Sequence, residues 1–295
     1  MSALAKSASS PKEKGVLAKL TAAASFEITA REPEKAVASL EGLEKSVPIY
    51  VAHIPGDPWA RVVETAVMVK NAGWTPIPHV VSRNIKDEAD LGEFLKTLRG
   101  EIGTEKILCL GGDVDNPPGK FTMSRQLIET GLFEKSGIKG IGLAAYPEPH
   151  PKAPVEVFEK ELQQKHKLAK DAGLDVWVIT QFAFDPVPIV ARLKSLREQG
   201  VDSRVRVGVA GPAGLKSLIA LSMRCGVGNS LKQLTNRPAA IGKLITKHPP
   251  DDVVAGVVAE LAKTPELNVE GLHFFCFGGV PAAATWRKEA QAQAA

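Results

Sequence analysis

The sequence predicts an α/β fold, a (β/α)8 TIM barrel, and three observations predict it. Eight short apolar runs alternate with helix-period segments from Ser25 to Gly279. That span of about 250 residues is the usual size of such a barrel. No Gly/Ser/Pro-rich linker or shift of composition divides it, so residues 12–295 read as a single barrel domain behind a flexible lead, 1–11. A doubly wound open sheet would show the same alternation. Against it, no GxGxxG follows an early strand, and the eighth strand arrives where a barrel would close.

The lead is rich in Ser, Ala and Lys, and Glu13–Ala24 then carries Val16, Leu17 and Leu20 at helical spacing, an N-terminal helix ahead of the barrel. Ser25–Ile28 is the first strand, and Glu32–Lys45 a helix with Ala36, Val37, Leu40 and Leu43 on one face. Pro48–Ile54 is the second strand, with Trp59–Asn71 its helix, closed by Gly73. Pro76–Val81 is the third, with prolines at its entry, and Asp87–Arg99 the helix behind it. Ile107–Leu110 is too short and too continuous for an amphipathic helix, so it reads as a strand buried on both faces, followed by a helix over Ser124–Ser136. Gly140–Tyr146 and the long charged helix Val155–Asp171 come next, then Asp175–Phe182 with Val187–Gln199. Arg204–Ala210 is the seventh strand. Leu215–Arg224, an extra helix around Leu231–Lys247, and Asp251–Lys263 follow it. The last of these carries Val253, Val254, Val257, Val258 and Leu261, apolar enough for two neighbours, which motivates a homodimer. Gly271–Phe277 is the eighth strand, and Thr285–Ala294 a last, weakly held helix.

Composition narrows the function. A chain that is 44% hydrophobic and 24% charged is an ordinary globular protein. Its net charge of +4 is scattered, without the basic stripe and interleaved aromatics that nucleic acid would ask for. Cys109, Cys225 and Cys276 lack CxxC spacing and read as buried, inert thiols of a reducing compartment. No apolar run reaches membrane length and Met1–Lys12 has no hydrophobic signal core, so a cytoplasmic location is expected. No His/Asp/Glu set has metal-ligand spacing, and no Ser or Cys sits in a nucleophile elbow.

In a barrel, the strand ends share one mouth, and the polar residues there are Glu27, His53, His79, Asp113, Tyr146 and Gln181, with Gly278. Each has a plain reading beside the functional one. Glu27 could pair with Arg31, but a carboxylate between Phe26 and Ile28 is expensive unless paired or working. His79 could be a satisfied core histidine, and His273, in mid-strand, reads as core. Gly111 and Gly112 let a ligand approach the backbone and Asp113 stands beyond them, or the Asp only caps the next helix. Tyr146 and His150 lie in Ala-Tyr-Pro-Glu-Pro-His-Pro, where three prolines build either a turn or a preset ligand wall. Gln181 can donate and accept toward a heterocycle, or bond the next loop.

Ser25-Phe-Glu27, Pro78-His79, Leu110-Gly-Gly-Asp113 with Pro-Pro-Gly-Lys, Ala144-Ala-Tyr146-Pro-Glu-Pro-His150-Pro, Ile179-Thr-Gln181-Phe and Leu272-His-Phe-Phe resemble, in order, the methylenetetrahydrofolate reductases. The resemblance implies FAD held non-covalently at the strand ends, reduced by NAD(P)H and passing hydride to methylenetetrahydrofolate, in one-carbon metabolism that feeds methionine synthesis. It implies Glu27 as the general acid that opens the folate ring, Asp113 beside flavin and pterin, and Gln181 against the folate. His53, His79, Gly112, Asp113, Ala145, Tyr146, His150 and Lys165 would hold the cofactor. The pattern also departs from the family. Gly111 stands where an Arg is usual, the basic residue expected at Ala169 is displaced among Lys165, Lys167 and Lys170, and Cys276-Phe-Gly-Gly279 replaces Thr-Leu-Asn-Arg. Two other readings stay open: a folate reductase that works without flavin, and a folate- or flavin-binding relative without turnover.

Overall fold

The computed structural model describes residues 10–150, 153–227 and 247–294. Its eight barrel strands are β1 (Ser25–Thr29), β2 (Pro48–Ala52), β3 (Thr75–Val81), β4 (Lys106–Leu110), β5 (Gly140–Ala145), β6 (Asp175–Thr180), β7 (Arg204–Ala210) and β8 (Val269–Phe275). Their hydrogen-bonded order, β1-β8-β7-β6-β5-β4-β3-β2, closes on itself. This is the (β/α)8 barrel, with strands buried on both faces as parallel sheets require. Ala213–Gly214 and Lys247–His248 add a short antiparallel pair.

The helices are α1 (Pro11–Ala22), α2 (Pro33–Ala38), α3 (Trp59–Asn71), α4 (Glu88–Thr97), α5 (Ser124–Glu129), α6 (Leu132–Lys135), α7 (Val155–Asp171), α8 (Pro186–Glu198), α9 (Leu215–Arg224), α10 (Asp251–Leu261) and α11 (Val280–Ala294). Side-chain caps start several of them. Ser10 and Glu13 form a reciprocal capping box on α1, Asp87 accepts from Asp90 N at 2.9 Å, and Asp185 accepts from Val187 N at 2.9 Å.

Several expectations are corrected. The helix over Glu32–Lys45 stops at Ala38, because Ser39 Oγ bonds back to Ala36 O at 2.6 Å and Gly42 turns at φ +85. Leu40 and Leu43 are buried all the same, held by successive turns. Ser124–Ser136 breaks into α5 and α6 at Gly131, φ +66. The last helix starts at Val280 and is firmly held: Trp286 Nε1 donates to Asp251 Oδ1 at 2.7 Å, and buried Arg287 donates to Thr21 O at 2.7 Å. The valines and Leu261 of α10 are all buried within the chain, so the strip offers no second apolar face. The extra helix around Leu231–Lys247 and the lead before Ser10 lie outside the described residues.

Prolines place one site residue. β3 pairs with β2 through Thr75–Pro78 and with β4 through His79–Val81. Pro76 and Pro78 have no N–H to give, so the β4 ladder starts at His79, opposite Leu108.

Contacts group the chain into two units, Met1–Phe26 with Ala145–Glu159 and Ile179–Ala295, and Glu27–Ala144 with Lys160–Val178. The first is centred on Phe182, Phe184, Ala210, Ala213, Leu218 and Val227, against which Phe275 and Phe277 pack. In the second, Trp59 stacks on Phe94 at 5.0 Å and Cys109 is sealed beside Ser124, its Sγ 3.7 Å from Ser124 O. Burial pushes that thiol up to about 12, although Lys165 pulls the other way. A thiol reagent at pH 8 should therefore leave Cys109 unmodified until the protein unfolds; labelling of Cys109 in the native state, located by peptide mass, would contradict this. Among the described residues no helix is long and apolar enough to cross a membrane.

Candidate functional site

In the second unit the chain brings together residues from three consecutive strands. Phe26 is fully buried and stacks on Phe274, ring centroids 5.0 Å apart. Successive strand residues point to opposite faces, so fixing Phe26 fixes the face taken by Glu27. The Glu27 side chain is 17% exposed, with its Oε2 at 3.3 Å from Nε2 of buried His79. That is ion-pair distance, but the angles are not those of a hydrogen bond, since His79 Nε2 has no such partner among the described residues. His53, just past β2, is buried too, with Nε2 at 2.8 Å from Asp57 O. Burial chiefly lowers its pKa, the Asp57 carbonyl opposes that, and nearby His79 adds to the lowering.

After β4 the backbone itself is shaped. Gly112 sits at φ +89, and a Cβ there would meet Val81 Cγ1 at 2.4 Å. Gly111 O accepts from Arg83 N at 3.0 Å and from Ser82 Oγ at 2.9 Å, which ties this turn to the end of β3. Asp113 lies beyond it, exposed, and takes part in interactions of its own. Lys165 is placed elsewhere: its ammonium bonds Ser124 Oγ at 3.3 Å beside Cys109, and burial lowers its pKa.

The first unit holds the other candidates around a cleft of about 190 Å³, lined by Tyr146, Glu148, His150, Gln181, Phe182 and Cys225 among others. Ala145 is buried, and its carbonyl accepts from Gln181 N at 2.8 Å. Gln181 Oε1 accepts from Phe182 N at 3.1 Å. Tyr146, His150 and Phe158 pack on one another with centroids 4.9–5.1 Å apart. Arg192 fixes this loop, donating from Nε to Tyr146 O at 2.8 Å and from Nη1 to Glu159 Oε1 at 2.7 Å.

Arg192 and Asp57 are what the sequence reading missed. Arg192 had a signal, since it shares the buried face of α8 with Ile189, Leu193 and Leu196 at helical spacing, where a cation needs a partner. Asp57, in Ile-Pro-Gly-Asp-Pro, had only turn chemistry to show.

A dinucleotide cofactor would need cations for its diphosphate, and several of the described cations near these strand ends have internal partners. Arg83 donates to Thr122 O and Val114 O, Lys120 pairs with Glu88, Arg125 with Glu129 and Glu161, Lys165 with Ser124 and Arg192 with Glu159. The aromatic packing suits a flat ring, and these five cations are held away from a diphosphate. Among the described residues no group of three or more His, Cys, Asp or Glu could hold a metal ion.

The family model described as methylenetetrahydrofolate reductase matches residues 56–276. Among solved structures, the chain resembles an uncharacterized protein from Clostridium thermocellum that binds two copies of 5-methyl-5,6,7,8-tetrahydrofolic acid, with TM-score 0.58 and 12% identity over 95% of this chain and 99% of that one. At that identity the likeness is one of fold. A dihydropteroate synthase from Thermus thermophilus aligns with TM-score 0.49 and 15% identity, over 94% of this chain and 95% of its own.

Proposed function

Because the chain belongs to the methylenetetrahydrofolate reductase family, of oxidoreductases in folate metabolism, we propose that it reduces methylenetetrahydrofolate to methyltetrahydrofolate with NAD(P)H. The observation that carries this reading is Glu27, a carboxyl set between buried Phe26 and Ile28 and 3.3 Å from His79. The methylene-bridged ring must open to a cation before it can accept hydride, and opening needs a proton on the bridging nitrogen. Glu27 gives that proton, and Asp113 steadies the cation. A binding protein without turnover would not need an acid inside a strand. The test is direct: purified protein with methylenetetrahydrofolate should oxidise NADH or NADPH with equimolar methyltetrahydrofolate formed, and no product with either nucleotide rejects the reading.

FAD, the family's hydride carrier, is proposed to bind loosely, with its ring against Tyr146 and His150 and its diphosphate poorly held. Each missing charge-assisted bond is worth about 1.5–3 kcal/mol, roughly one to two powers of ten in affinity. Purified protein should therefore carry less than one flavin per chain by absorbance. Gly111→Arg should tighten FAD binding at least tenfold, since nothing lies within 4 Å of a Cβ at Gly111. The committed cations favour a second reading, direct hydride transfer from nicotinamide to folate; it takes over if saturating FAD neither binds nor raises activity. The site is proposed to be complete in one chain, and a homodimer would be a separate property, seen as a sedimenting species of twice 31.4 kDa.

A further inference from the structure

Five buried polar atoms of the second unit have no hydrogen-bond partner among the described residues, and besides Asn84 Nδ2 and Trp177 Nε1 they are Asp57 Oδ2, His53 Nδ1 and His79 Nε2. Buried polar groups are nearly always satisfied, by protein or by bound water. Scattered atoms of this kind call for no explanation, but the last three belong to residues that follow one another toward Glu27. His53 Nε2 meets Asp57 O at 2.8 Å, His53 feels the charge of His79, and His79 Nε2 lies 3.3 Å from Glu27 Oε2. The outer end reaches solvent, because Pro55, Gly56 and Pro58 around Asp57 are exposed.

The chemistry asks for such a route. Each reduction takes a hydride from the nicotinamide and a proton from water, so Glu27 is left as a carboxylate and has to be reloaded before the next turnover. A carbonyl only accepts, so neutral His53 carries its hydrogen on Nε2, toward Asp57 O, and its Nδ1 is a free base. An imidazole accepts a proton at one ring nitrogen and releases one from the other, so either ring can pass a proton on.

We propose that Asp57, His53 and His79 form a hydrated proton path that reloads Glu27 from solvent. This rests on the reading of Glu27 as the acid and goes beyond it. A proton from solvent passes by the Asp57 carboxylate to His53 Nδ1, then through bound water to His79, and His79 gives it to the Glu27 carboxylate when the ring turns its Nε2–H into line across the 3.3 Å contact. No electrons move on this path, and one proton enters for each proton delivered to the folate. His53 and His79 are positioning residues here, acting through Glu27.

The path separates the first turnover from those after it. Glu27 is already loaded when substrate arrives, so blocking the path leaves the first delivery and slows the reload. Rates of methylenetetrahydrofolate reduction are to be measured with the enzyme in excess, for one turnover, and with substrate in excess, for steady state. Asp57→Asn, in a half-exposed turn, keeps the shape and cannot carry a proton, so its steady-state rate should fall at least about fivefold while the first turnover falls no more than about twofold. Asp57→Glu, which restores the carboxylate, should recover part of the loss, and so should added formate or acetate. Equal loss in both phases would mean that Asp57 only holds the turn, and no loss in either would mean the path is unused; either result overturns the proposal. A parent protein without any turnover removes the functional reading and the path together, whereas an active parent whose variants show no split removes the path alone.

Discussion

Glu27→Gln should slow reduction of methylenetetrahydrofolate by at least about two powers of ten, since general acid catalysis is typically worth ~10²–10⁴-fold. The same substitution should leave oxidation of NAD(P)H by added FAD within a few-fold of the parent. The two reactions differ in one requirement: opening the bridged ring needs a proton at nitrogen, and handing hydride to a flavin does not. Gln keeps the volume and can still meet His79 across the 3.3 Å gap, so the strand and its Phe26–Phe274 stack should be undisturbed. Only the transferable proton is lost. Rapid-mixing rates for the two reactions, measured on the same preparation, decide it. Equal losses in both would make Glu27 a structural support, and near-parental folate reduction would remove it from the mechanism.

How far the sequence carried this site depends on what kind of information each part needs. Alternation and breakers are local, so Trp59–Asn71, Val155–Asp171 and Arg204–Ala210 are bounded correctly from their own residues. The early end of α2 is not legible in the same way, because Leu40 and Leu43 keep a helical period while being buried from successive turns. Burial selects apolar residues whatever the backbone does beneath them. The last helix reads as weakly held for a related reason: its hold comes from Asp251 and Thr21, far away in sequence. For the site, the strand-end rule points to Glu27, His53 and His79, but their approach depends on the stagger of β1, β2 and β3, which no single segment encodes. Lys165 shows the limit of reading a cation as a ligand. The resemblance implies a cofactor contact for it, and its ammonium goes to Ser124.

Arg192→Met should destabilise the protein by about 2–4 kcal/mol, because its side chain, 5% exposed, satisfies two groups at once. Met fills a similar volume among Ile189, Leu193 and Leu196, so packing on the helix face is kept and the loss is polar. Tyr146 O would lose a charged donor, and Glu159, 27% exposed, would keep only Ser195 Oγ at 3.3 Å of the donors it shares with Arg192. Removing one partner of a fully buried pair costs about 3–5 kcal/mol, and the partial exposure of Glu159 lowers the figure. Arg192→Lys should fall between parent and Met, since an ammonium cannot reach both acceptors with the geometry of the guanidinium fork. Adding Glu159→Gln to Arg192→Met should recover part of the loss by removing the stranded carboxylate, which a double-mutant cycle would isolate. The effect should reach the site as well, because Arg192 ties down the carbonyl of Tyr146 at the mouth of the cleft, and ligand affinity should fall along with stability. Urea unfolding with unchanged m is the measurement. A shift below about 0.5 kcal/mol, within the range of ordinary surface substitutions, would show that this loop is held by its prolines and not by Arg192.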